Sequence, residues 1–143
     1  MKIITIFLVF ACVSILLGCT MAFFWCTQPI KKSMTEYYSN DQVYSWLEGR
    51  IISIGKDRLL VEVITSNGEF SFREGTNRDF FMLTNLENFE LQEDDIISFK
   101  SAPRQFFDGH NFPIVAIEKN GIIVLDYEAG KENLLNWIKF DFK

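Results

Sequence analysis

The chain has 143 residues, with 14 Lys and Arg against 19 Asp and Glu, one His and three Cys, for a net charge of −5. The acidic balance argues against a phosphate-binding surface of the kind nucleic acids need, and a single histidine excludes a cage or relay built from several. The length leaves room for one compact domain beside an N-terminal apolar segment, not for two.

Ile3 to Cys26 contains no charged side chain. At about 1.5 Å per helical residue the run spans roughly 36 Å, enough to cross a hydrocarbon core of about 30 Å. Residues 1–26 therefore read as a membrane anchor, in one of two forms. In the first it is an uncleaved signal anchor, with Met1 and Lys2 left in the cytoplasm and the remainder exported. In the second it is a lipoprotein signal, because Leu16, Leu17, Gly18 and Cys19 resemble the bacterial lipobox, which implies cleavage before a lipidated Cys19. Leu17 departs from the usual pattern, and the residues after Cys19 continue the apolar run instead of forming a polar tether. An intact helix accounts for the whole run with one assumption. Lys31 and Lys32 nearly balance Lys2 across the run, so the positive-inside rule alone does not orient it. Export is the expected orientation, since a short basic start ahead of an apolar run is what secretion machinery reads as a signal, and Trp25 falls where an interfacial aromatic belongs.

Ser14, Gly18, Ala22 and Cys26 recur every four residues, a small-residue stripe along which two anchors can pack as a homodimer. All three cysteines, Cys12, Cys19 and Cys26, lie inside the run. The exported part thus has no internal disulfide and no thiolate metal site.

Residues 27–42, with Pro29, two lysines, Ser33, Ser39, Asn40 and Asp41, read as a polar stalk. Residues 43–143 read as one mainly-β domain. Strands are expected over Leu47 to Ile54 and Arg58 to Thr65, where Leu59, Val61 and Val63 share a face. Asn67 and Gly68 then supply a hairpin turn into a third strand, Glu69 to Arg73. From Thr76 to Phe89 the pattern changes to helical, with Thr76 as a cap, Asp79 three residues on, and Met82, Leu86 and Phe89 at helical spacing. Strands resume at Ile97 to Lys100 and, after Pro113, at Ile114 to Glu118. Asn120 and Gly121 turn the chain into Ile122 to Leu125. Lys131 to Ile138 carries Leu134, Leu135 and Ile138 at the spacing of a C-terminal helix.

Three strands, a short helix and then two or three more strands is an order that resembles the oligonucleotide and oligosaccharide binding barrel, the OB-fold, over Val43 to Leu125. The resemblance implies a small barrel of five to six strands that binds its ligand on one face. A β-roll of different topology fits the same elements.

His110 lies beside Asp108 in a polar turn flanked by Phe107 and Phe112. A catalytic base oriented by Asp108 is one reading of that pair; a histidine at a hairpin tip is the simpler one, since no nucleophile is placed near it by sequence. Glu93, Asp94 and Asp95 offer oxygen ligands without the alternation or the glycine turn that a calcium loop needs, so they read as a solvated turn. Phe106, Phe107, Asp108, His110 and Phe112 form an aromatic loop, the candidate binding surface if it projects; folded back, the favoured reading because exposed aromatics are costly, the loop caps the barrel mouth. No cofactor or metal is expected. The composite expectation is a membrane-tethered, non-enzymatic binding or accessory module of the bacterial cell envelope, partnered by the membrane and another envelope protein and not by nucleic acid. An envelope enzyme using His110 and Asp108, and a nucleic-acid-binding barrel, are the alternatives.

Overall fold

Ile30, Met34, Tyr37 and Tyr38 follow one another at helical spacing, and helix α1 covers residues 28–39 of the computed structural model, which describes residues 28–66, 75–81, 89–104 and 111–140. Met34 and Tyr38 are buried, so the stretch expected as a stalk contributes a packed helix to the domain. Asn40 stops it: its Oδ1 accepts from the Gln42 amide at 3.0 Å, and a single 3-10 turn, Asp41–Val43, leads into the sheet. Among the described residues no helix is long and apolar enough to cross a membrane. The run Ile3 to Cys26, with Cys19 and the Ser14, Gly18, Ala22 and Cys26 stripe, lies outside them.

The described part is mainly β. Strands β1 (Ser45–Ile54), β2 (Arg58–Ser66), β3 (Thr76–Phe81), β4 (Ile96–Ser101), β5 (Asn111–Lys119) and β6 (Ile122–Leu125) precede helix α2 (Tyr127–Phe140). Their order in the sheet is β3-β2-β1-β4-β5-β6, antiparallel at each of these pairings. A second edge of β3 pairs with β5 in parallel, Asp79 opposite Asn111 and Phe81 opposite Pro113, so the first five strands close on themselves. The β5–β6 hairpin turns on Asn120 and Gly121, both at positive φ (54° and 77°), as the Asn-Gly signal requires.

Thr76–Phe81 is strand β3, not the start of a helix. Its partners are long-range: Val63 faces Thr76, Val61 faces Arg78 and Leu59 faces Phe80 on β2, while Phe80 also faces Phe112 on β5. Pairing on two edges outweighs the local helical spacing. The expected third strand, Glu69 to Arg73, and residues 82–88 of the expected helix lie outside the described residues.

Alternation along β1 and β2 sends Leu47, Ile51, Leu59, Val61 and Val63 into the barrel, where they meet Phe80, Ile97, Phe99, Phe112, Ile114 and Ile117. Gly49, at a bulge in β1, is the position where this core demands a glycine: a Cβ there would overlap the Val61 side chain and lie 3.3 Å from the Phe99 ring. A second apolar cluster lies between β5 and the two helices, with Val115 of β5 under Met34, Tyr38, Leu134 and Ile138. β5 is consequently buried on both faces through Ile117. Lys131 near the start of α2 bonds Asp41 just past α1, and Lys139 near its end lines a groove with Lys31 and Lys32, so the helices run antiparallel.

Candidate functional site

Because the helices cover one side of the barrel, the chemistry available to a partner lies on the outer face of β2, β1 and β4. The outward residues of β1 are Trp46, Glu48 and Arg50, between the inward Leu47, Gly49 and Ile51. Cross-strand register builds a row from them. Glu48 faces Thr65 on β2 and Ser98 on β4, and Ser98 faces Glu118 on β5. Trp46, half-buried, stands one step along, opposite Lys100. Trp46, Glu48, Thr65, Ser98 and Glu118 line an open cleft of about 350 Å³, floored by Leu47.

The electrostatics of this face are uneven. Arg50 is paired with Glu62 on β2, and the hydrogen bond from that pair raises the guanidinium further above its ordinary range. Lys119 donates to Asp95 at 2.6 Å and to the Glu90 carbonyl at 3.0 Å, and that bond holds the Asp95 carboxyl below the usual carboxylate range. Glu48 and Glu118, by contrast, make no ion pair with the described residues. The cleft therefore presents two carboxylates with no ion pair among the described residues, two hydroxyls and an indole, a set suited to a ligand that donates hydrogen bonds or carries positive charge.

A tyrosine clasp ties the helices to the barrel. Tyr38 Oη donates to the Arg104 carbonyl and Tyr44 Oη to the Tyr38 carbonyl, each at 2.8 Å. Tyr127 Oη donates to Asp41 Oδ1 at 2.6 Å, Lys131 bonds the same oxygen, and the Lys100 ammonium sits 3.7 Å above the Tyr127 ring. The Lys131 and Tyr127 bonds hold the Asp41 carboxyl below its usual range, while burial pushes the phenols of Tyr38, Tyr44 and Tyr127 upward. These bonds join α1, the 3-10 turn, the Arg104 segment and α2. Every member is spent on tertiary structure.

Of the binding residues expected from sequence, Phe106, Phe107, Asp108 and His110 lie outside the described residues. Phe112 is placed, and it is core: 5% exposed in β5, its ring 5.7 Å from that of Phe80. It is therefore not part of a projecting aromatic surface, because parallel pairing with β3 turns it into the barrel. The acidic turn is likewise committed: the Asp94 amide donates to the Ile51 carbonyl and the Asp95 carbonyl accepts from the Ile51 amide. Trp46, Glu48 and Glu118 were not picked out from sequence. Trp46 and Glu48 carried a signal, the alternation that faces them outward; their meeting with Glu118 depends on register across three strands.

No protein-family model, no curated protein and no solved structure matches the chain.

Proposed function

We propose that the chain is a membrane-tethered, non-enzymatic binding module of the cell envelope whose working surface is the outer face of an OB-like barrel. Ile3 to Cys26 serves as the tether, either as an intact signal anchor or, with cleavage before Cys19, as a lipoprotein. The barrel assignment draws support from the β1–β2–β3 meander, the parallel closure of β3 on β5 and the antiparallel return of β4 to β1. The observation that carries the function is the open row from Thr65 through Glu48 and Ser98 to Glu118, with Trp46 beside it. An indole offers a stacking surface, and two carboxylates without ion-pair partners among the described residues favour a basic, donor-rich surface on an envelope protein. The same carboxylates repel phosphate, which sets nucleic acid aside.

Affinity capture of the full chain from detergent-solubilised membranes tests this. The Trp46→Ala, Glu48→Gln double variant, with an unchanged unfolding midpoint, is expected to retain at least tenfold less of a protein that copurifies with the unmodified chain, a loss of about 1.4 kcal/mol. Equal retention by the two forms would show that this face is not the contact. Loss of the partner only when the anchor is replaced would move the function to the membrane helix.

A further inference from the structure

The antiparallel helices bring together lysines that are far apart in the chain. Lys31 and Lys32 of α1 and Lys139 of α2 line one groove of about 560 Å³ with Gln28, Thr35 and Glu36. Glu36, the one carboxylate among the described residues that line it, lies 3.9 Å from Lys32, with both side chains largely exposed. A positive excess thus gathers at one end of a chain whose net charge is −5. That end is the one nearest the apolar run, since α1 is described from residue 28 and the uncharged segment ends at Cys26. Phe140 stands beside it, 65% exposed, with the Lys139 ammonium 4.9 Å from its ring centroid. Converging cations next to an exposed aromatic, at the foot of a segment long enough to span a bilayer, match the phosphate and glycerol layers of a membrane surface.

We propose that the Lys31, Lys32 and Lys139 groove binds the phosphate of an anionic lipid headgroup, seating the domain on the bilayer with Phe140 at the interface. The site rests on the tether reading of Ile3 to Cys26. Lys31 and Lys32 would lie near lipid on any anchored chain; Lys139 reaches it only through the fold. It is therefore the reporter.

The experiment uses the full chain in nanodiscs of phosphatidylcholine alone and of phosphatidylcholine with phosphatidylglycerol, with amine acylation of each lysine followed by mass spectrometry. Acylation of Lys139 is expected to slow at least roughly fivefold in the anionic discs, the size of one lysine–surface contact. Lys56, exposed in the β1–β2 turn, should keep one rate in both. The Lys31→Gln, Lys32→Gln double variant should abolish the slowing at Lys139 while leaving its rate in neutral discs unchanged. Equal Lys139 rates in the two discs would overturn the site. So would equal protection by glycerol phosphate added to the chain in neutral detergent, which would make the ligand a free phosphate. A chain that fails to copurify with either disc would overturn the tether and the site with it, whereas copurification with equal rates would overturn the site alone.

Discussion

Phe80 has no exposed surface, and among the described residues its ring meets those of Phe99 at 4.7 Å edge-on and Phe112 at 5.7 Å. It also sits where β3 pairs with both β2 and β5, so its ring fills the barrel at the point of closure. Phe80→Ala should lower the unfolding free energy by about 3–5 kcal/mol, since cavity and transfer terms add and the two ring contacts are lost with them. Urea unfolding checks the value. A loss under about 1 kcal/mol would mean that the barrel collapses around the gap. The strand that carries Phe99 is legible in the sequence, whereas Phe80 falls in a stretch whose spacing is helical and lies on a strand. The inward placement of Phe112 is not legible there, because a phenylalanine beside a Gly-containing turn looks the same whether it projects or pairs. The Trp46 cleft was hidden for a related reason. Its residues come from four strands, and only register joins them.

Gly130 shows how an element is held to its neighbour. In an exposed helix, Gly→Ala gains about 1 kcal/mol from propensity. Here a Cβ would overlap the carbonyl of Val115, a fully buried residue whose chain neighbours Ile114 and Ala116 are both held by β4. Overpacking of this kind costs about 1–3 kcal/mol, so the sign reverses and Gly130→Ala should destabilise the domain. Thermal unfolding gives the sign, and Trp137 fluorescence reports whether α2 lifts from Phe81, whose ring lies 6.0 Å away. A gain in stability would place α2 further from β5 than the contact allows. At this scale the sequence was most readable where local chemistry decides. The Asn120–Gly121 turn and β6 were read at their observed bounds. The last helix was found but begins earlier than expected, because Asp126 Oδ1 caps it by accepting from the amides of Glu128 and Ala129. β3 was missed because its pattern is polar on both faces, with Phe80 its one fully buried side chain. In α1 the Ile30, Met34 and Tyr38 stripe was present and was outweighed by the lysines and hydroxyls around it.

Across the whole domain, the tyrosine clasp ties its integrity to pH from the alkaline side. Burial raises the phenols of Tyr38 and Tyr44 because a phenolate inside the second apolar cluster would lose its hydration and its role as donor to the Arg104 and Tyr38 carbonyls. In an unfolded chain a tyrosine titrates near pH 10. Below about pH 10 both states hold the proton and stability is insensitive to it. Above that point the unfolded chain releases protons that the folded domain keeps, so stability falls as pH rises, by up to about 1.4 kcal/mol per pH unit for each such phenol. Phenolate absorbance and far-UV circular dichroism, followed together from about pH 9 to about pH 12, should therefore show part of the signal from the four tyrosines appearing in the same cooperative step that removes β structure. Tyr38→Phe with Tyr44→Phe should flatten that alkaline fall while lowering stability at neutral pH by about 1 kcal/mol per lost hydrogen bond. If all tyrosines ionise gradually near pH 10 with the dichroism unchanged, the clasp does not bind α1 to the barrel, and the packing of Met34 and Tyr38 must hold it without the phenol bonds.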